Sequence, residues 1–502
     1  MPAAKAKSST PFPGRISRRA GIAIAALLIA AVVAVVAWNG RWQQTLPVVA
    51  VAASDATPRS EALARDLFVK LGTLEHVGAG KWVLADPQST KSSPDLVFKV
   101  AQTGSAAQLQ AGLTLVDGEG NSLLWSREFA QSDGSEADVR QQVALAAGLA
   151  LLCSLEARED HGLPPELFKR YIGSCAEAAL GSEMDSDKAV TALRSIIAER
   201  PRFKAAWALL LSAQASVAAI AELGSPSEAA SHRRTLLQDL EKARKIAPNL
   251  PEIEMAEIQL LSPMDFAGRL ERIGRAKAEA PEKSVIWGYE CTTLKSVGRV
   301  IEAIAAARRA AELEPLSPAA ANEVIMTLAY AGEFEAARKE LARAERNWAG
   351  TKALRDGQWA FHLRFGDPKF AMALAEQSTN LYLQARLAPT PEKVNAMMAE
   401  LELASPSVDA EFGYAIQALA EFDRTDDVYR WFDRAPVSTL ARQSYLFFRP
   451  AFADVWRDPR FMSVAKRNGL LNYWQKSGKW PDFCYDPKLP YDCRKEAAKL
   501  GA

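Results

Sequence analysis

The residues of this chain that could do chemistry are few and scattered. Four histidines occur, His76, His161, His232 and His362, and no H-E-x-x-H motif puts two imidazoles on one helix face. There is no G-x-S-x-G elbow and no Gly-rich loop ending in Gly-Lys-Ser/Thr. His161 follows Asp160 in a polar linker and lacks partners of metal-ligand type. Glu156, Glu159 and Asp160 form a small acidic group with Arg158 among them, the pattern of a solvated helix end. No catalytic, cofactor-binding or metal-binding residue is assigned from these patterns, and the chain is expected not to be an enzyme. An enzyme with an unrecognised site stays open as an alternative.

The five cysteines carry the clearest covalent chemistry. Their spacing suggests disulfides Cys153–Cys175 and Cys484–Cys493, leaving Cys291 free. The second pair closes the short loop FCYDPKLPYDCR, which has no regular structure to hold it otherwise. A metal site of Cys484, Asp486, Asp492 and Cys493 is the competing reading. It lacks the tight C-x₂₋₄-C spacing and the histidine usual for zinc. Disulfides imply an oxidising compartment.

Such a compartment requires export, and the start of the chain supplies a signal for it. Residues 20–38, AGIAIAALLIAAVVAVVAW, are uncharged. As a helix they would cover about 28 Å, close to the ~30 Å hydrocarbon core of a bilayer. Arg15, Arg18 and Arg19 precede them and only Arg41 follows closely, which predicts a cytoplasmic N-terminus. The sequence therefore predicts a single-pass inner-membrane anchor with the bulk of the chain periplasmic and residues 1–19 as a cytoplasmic tail. Cleavage near Ala50-Val51-Ala52 remains the alternative. The 502 residues carry a net charge of +1, which gives no field for nucleic acid.

Two patterns follow. Residues 46–157 read as strand, helix, four strands and helix, an α+β layer. The helix at 60–74 would turn Leu63, Leu67, Leu71 and Leu74 inward. Leu109, Ala111, Leu113 and Leu115 alternate with polar or small residues, as a half-buried strand requires. From 165 the strands stop and a period appears. Gly298, Gly332 and Gly366 stand 34 residues apart, as do Ala303, Ala337 and Ala371, and Pro281 and Pro315. Thirty-four is the tetratricopeptide period. Glycine serves the turn inside each helix pair, alanine the close approach of its helices, and proline the bend into the next pair. The repeats read as 250–283, 284–317, 318–351 and 352–385. Residues 386–502 read as an irregular helical continuation that caps the array.

Leu113, Leu115, Asp117, Gly120, Leu124, Trp125, Ser126 and Phe129 give 46–157 a resemblance to the TolB-like amino-terminal domain of CadC-type regulators, without the winged-helix DNA-binding domain that precedes it there. Resemblance to tetratricopeptide arrays implies that the first helix of each pair lines a concave surface and the second faces out. Arg308, Arg309, Arg338, Lys339, Arg343 and Arg346 are then an outer face, and Glu290, Lys295, Asn322 and Thr327 are the expected partner groove. The fold class expected is multidomain: one transmembrane helix, a small α+β domain and an all-α tetratricopeptide solenoid. The expected function is a membrane-anchored periplasmic scaffold that binds a protein or peptide partner, with no cofactor and no direct nucleic-acid contact. A sensory component of a regulatory system whose DNA-binding part is on another chain is the second alternative.

Overall fold

Alternating apolar residues build the first unit of the computed structural model. The structure describes residues 46–501 apart from 78–80, 87–92, 105–107, 119–121, 131–134, 161, 181–182, 222–225 and 376–379. Strands β1 (Val48–Ala53), β2 (Val83–Leu84), β3 (Leu96–Thr103), β4 (Gln110–Asp117) and β5 (Leu123–Ala130) form one sheet in the order β2-β1-β3-β4-β5. β1 runs parallel to β2 and β3, and β3, β4 and β5 are antiparallel. Phe98 lies opposite Leu115 and Val100 opposite Leu113, and all four are buried. Helix α1 (Pro58–Val77) sends Leu63, Leu67 and Leu71 into this face. Helix α2 (Glu136–Arg158) begins with a capping box between Ser135 and Asp138 and packs its alanines there too.

The remaining helices stack in pairs. Helices α3 (Pro165–Leu180), α4 (Glu183–Glu199), α5 (Lys204–Ala221), α6 (Pro226–Ile246) and α7 (Pro251–Ile258) lead into α8 (Phe266–Glu279). The periodic stretch comprises α9 (Ser284–Ser296), α10 (Val300–Leu313), α11 (Pro318–Tyr330), α12 (Phe334–Asn347), α13 (Lys352–Arg364) and α14 (Pro368–Ala375). First helices start at 284, 318 and 352, and second helices at 266, 300, 334 and 368, every step being 34 residues. Ala303, Ala337 and Ala371 are fully buried where the paired helices meet. Pro315 lies in the loop between α10 and α11. Gly298 and Gly332 share the left-handed φ of 78°. Each sits in a turn closed by an N–H···O bond spanning five residues, Arg299 to Leu294 and Glu333 to Leu328, both at 2.9 Å. Gly366 differs. It has no positive φ, and an added Cβ would lie 2.3 Å from His362 Nδ1, so it is small to admit that ring.

Two covers close the array. The first is α2, which lies across the loops between repeats. Gln141 Nε2 donates to Leu316 O at 2.7 Å, and Ser135 Oγ donates to Gly350 O at 2.7 Å. Lys81 reaches Glu282 at 3.5 Å. Positions 282, 316 and 350 are one loop position taken 34 residues apart. A disulfide, Cys153–Cys175, ties α2 to α3. The second cover is C-terminal. Helices α15 (Leu381–Leu387), α16 (Pro391–Leu401), α17 (Asp409–Glu421), α18 (Thr425–Arg434) and α19 (Val437–Arg442) lead into 3-10 turns at Ser444–Leu446 and Pro450–Phe452. Helices α20 (Ala453–Arg457), α21 (Arg460–Arg467) and α22 (Leu470–Ser477) follow, then a 3-10 turn at Asp482–Tyr485 and α23 (Cys493–Lys499). Disulfide Cys484–Cys493 closes this end, and Cys291 is free and buried.

The C-terminal cover turns back onto the repeats. Trp474 Nε1 donates to Val297 O at 2.9 Å, and Asp482 N donates to Gly298 O at 2.8 Å. The Asp482 carboxylate accepts from Ile301 N at 3.0 Å, across 181 residues of chain. One core runs from Phe266, Val297 and Tyr330 through Phe412 and Phe447 to Trp474 and Phe483.

This architecture corrects the expected fold class and location. The chain is mostly helical, at 69% with 23 α-helices and a small five-stranded sheet among the described residues. The α+β unit and the C-terminal helices both contact the helical pairs, at Leu316 and Gly350 on one side and at Val297 and Ile301 on the other. Spanning a bilayer needs about 20 consecutive apolar residues in one helix. No helix among the described residues is long and apolar enough to cross a membrane. Residues 20–38 lie outside the described residues. The expected single-pass inner-membrane anchor, with its cytoplasmic tail and periplasmic bulk, is therefore not supported.

The two left-handed glycines differ in surroundings, and this gives a test. A Cβ at Gly298 would meet Pro481 Cβ at 2.6 Å and Phe448 Cε1 at 2.7 Å, whereas at Gly332 the nearest atom is Pro450 Cγ at 3.9 Å. Gly332→Ala is expected to cost about 1–2 kcal/mol for the backbone alone. Gly298→Ala is expected to cost about 1–3 kcal/mol more, for the overpacking. Asp423 holds the same place between α17 and α18, with φ 57°, so Asp423→Gly is expected to gain stability. Urea unfolding midpoints of the three variants check the order.

Candidate functional site

Helices α9 and α11, the first helices of two pairs, carry the four residues expected to line a groove. Helix α9 packs against the turn Ser444–Leu446. Thr327 is fully buried with its hydroxyl 3.4 Å from Cys291 Sγ. Lys295 is buried, ion-paired with Glu323, and its Nζ lies 5.2 Å from the Tyr330 ring centre. Burial opposes its charge, but the Glu323 carboxylate outweighs that and holds the ammonium above its ordinary range. Burial pushes the Cys291 thiol up to about 12, which leaves it protonated and inert. Glu290 is held by Lys277 at 2.7 Å. Asn322 turns its Oδ1 inward, without a hydrogen-bond partner and against Gly357. The four residues expected to line an open groove are thus packed or paired. The chain's own 444–452 segment lies against Tyr330 and beside Lys295.

That segment converts the inner face into a buried polar seam. Arg449 stacks its guanidinium 4.2 Å from the Tyr330 ring centre and donates to the Tyr330 hydroxyl. Its Nη1 donates to Gln417 Oε1 at 2.7 Å, and Gln417 Nε2 donates to Glu421 Oε1 at 2.6 Å. Glu421 also accepts from the Tyr382 hydroxyl and pairs with Arg386 at 3.3 Å. Arg386 in turn donates to the carbonyls of His362 and Leu363, at 3.0 and 2.7 Å, at the C-terminal end of α13. Burial raises the Glu421 carboxyl, against the lowering pull of Arg386. Burial lowers the Arg449 guanidinium, and nearby Arg364 adds to that effect.

The seam opens at one edge. A cleft of about 600 Å³ lies between α13, the start of α17 and residues 442–449, lined by Arg364, Tyr414, Arg442, Tyr445 and Arg449 among others. Arg442 is held by Asp409 in a two-pronged pair at 2.6 and 2.9 Å. Burial pushes the Tyr414 hydroxyl up to about 12. The repeats alone did not mark these residues. The signal available was Arg449 itself, the one charge within the run YLFFRPAF.

The other sequence candidates are structural. Cys484 and Cys493 are joined to each other, so neither is a thiolate ligand for a metal. Among the described residues no group of three or more His, Cys, Asp or Glu side chains could hold a metal ion. Trp207 and Trp287 each donate an indole N–H to a proline carbonyl six residues back, at 2.9 and 2.8 Å. Arg309, Arg338 and Arg343 pair with glutamates three residues away on their own helices. Of the acidic group, Glu156 accepts from Tyr171 and Asp160 from Arg200, at 3.2 and 3.3 Å. His161 lies outside the described residues. In comparisons with known proteins, no family model matches the chain and no curated protein matches it.

The raised carboxyl gives a pH test. Glu421 binds its proton more tightly folded than unfolded, so its contribution to stability is full below the ordinary value of 4.5 and is lost as pH rises through the folded value. Glu421→Gln does not titrate. Relative to the parent chain it is expected to gain stability as pH is raised from below 4.5 to neutrality. Urea unfolding of both proteins across that range checks the sign.

Proposed function

We propose that this chain is an interaction protein, a helical-repeat scaffold of the tetratricopeptide type that binds a protein or peptide partner. The binding surface is the cleft between α13, α17 and residues 442–449. The observation that carries this reading is the cleft's composition: three arginines and two tyrosines converge on one opening in a framework built of rigid helix pairs. Arginine and tyrosine are the types that dominate binding energy at protein interfaces. The 34-residue register supports the tetratricopeptide assignment, and the succession of strand, helix, four strands and helix in the first unit is the one expected of the region that resembles TolB-like domains. The two disulfides support work in an oxidising compartment.

A photo-crosslinking residue placed at the exposed Ser407 in the cleft is expected to capture one partner in intact cells. The same residue at the exposed Arg308, on the outer face of α10, is expected to capture none. Equal capture at both positions, or at neither, sinks the proposal.

A further inference from the structure

We propose that the cleft is a carboxylate site, and that an acidic side chain or chain end of a peptide partner supplies the carboxylate. This rests on the reading of the cleft as the binding surface.

The inference comes from charge left without a counterion. Arg449 is only 5% exposed. Its two hydrogen bonds go to neutral acceptors, Gln417 Oε1 and the Tyr330 hydroxyl, and its Nε has no acceptor. Arg364 lines the same cleft, and its buried Nη1 has no acceptor either. Among the described residues neither guanidinium has a carboxylate within ion-pairing distance. Of the nearby carboxylates, Glu421 is engaged by Arg386, Glu323 by Lys295 and Asp409 by Arg442, and Glu400 stands exposed on α16. Two cations packed together and out of water are costly unless an anion pairs with them. Natural interiors pair such charges, so the opening beside these arginines is where the missing anion fits.

The surroundings select the kind of anion. A guanidinium presents its N–H donors in a planar fork that matches a carboxylate. Val408, which precedes α17, makes no side-chain cap, and the first turn of this thirteen-residue helix also lines the cleft. Its free amides add donors where the helix dipole favours negative charge. Asp409 is fixed at the rim and Glu400 acts on Tyr414. A dianion meets both of these negative charges, and a monoanion meets them at half the charge. The rings of Tyr414 and Tyr445 give the stem of an acidic side chain an apolar wall.

The test uses the full chain and two probes, the α-amide of N-acetylglutamate, whose one charge is its side-chain carboxylate, and inorganic phosphate, with chloride holding ionic strength constant. The amide is expected to raise the thermal midpoint saturably, and phosphate at equal concentration is expected to do so less. Arg364→Gln is expected to weaken the effect of the amide by about tenfold or more, for one charged donor lost. Arg449→Lys keeps the charge, loses the fork and is expected to weaken it in the same direction. Arg308→Gln is expected to leave it unchanged. Stabilisation by phosphate alone, or an effect of the amide that Arg364→Gln leaves intact, overturns the carboxylate assignment. Crosslinking from Ser407 without any anion effect overturns this inference alone. An anion effect without crosslinking overturns the partner reading and leaves the carboxylate site standing.

Discussion

The contact on which the rest of this structure depends is the docking of the C-terminal segment on the turn at Gly298. Backbone meets backbone there. Asp482 N donates to Gly298 O, Trp474 reaches Val297 O, and the Asp482 carboxylate takes the Ile301 amide at the start of α10. Only a residue without Cβ allows it, because Pro481 and Phe448 occupy the space a side chain would need. The turn therefore satisfies two demands with one glycine, a left-handed φ and a close approach. A generic repeat turn such as Gly332 satisfies the first alone.

From that contact the position of the open site follows. Bringing 470–485 onto the first helix pair of the periodic stretch lays 444–452 along the inner faces of α9 and α11. Lys295 and Thr327 are buried there. The buried polar groups are then satisfied in series, from Glu323 and Lys295 through Tyr330, Arg449 and Gln417 to Glu421 and Arg386. Series satisfaction works only while every member has a partner. It fails at the edge, where Arg449 and Arg364 keep unused donors. The cleft lies at that edge.

Local patterns were legible in the sequence and long-range closure was not. The 34-residue spacing of Gly298 and Gly332 placed the helix pairs because turn geometry is set within a few residues. Cys153–Cys175 and Cys484–Cys493 were legible from short separations. The groove expected at Glu290, Lys295, Asn322 and Thr327 took polarity on a first helix for solvent exposure, whereas Lys295 and Thr327 are buried. Polar residues there pair with neighbouring repeats, as Lys295 does with Glu323, or meet a distant segment, as Tyr330 meets Arg449 across 119 residues. Gly366 kept the period but had a different cause, the His362 ring. The apolar run at 20–38 was read from its length, its lack of charge and its flanking arginines, and no helix among the described residues is long and apolar enough to cross a membrane.

The energetic logic of the seam separates stability from use. A core built only for stability has no reason to hold Arg449, since replacing buried ion groups with apolar ones is often neutral or stabilising. Its aromatic setting, beside Phe447, Phe448 and Phe452, already fills space well. A cation placed there, stacked on Tyr330 and with an unused donor, is a local cost carried by an otherwise well-satisfied core. Such conflicts between local and global fitness gather at functional sites. In this chain the conflict and the opening coincide at Arg449 and Arg364. The same arginine that completes the chain's own closure therefore also lines the cleft, so closure of the C-terminal cover and shape of the cleft depend on one side chain.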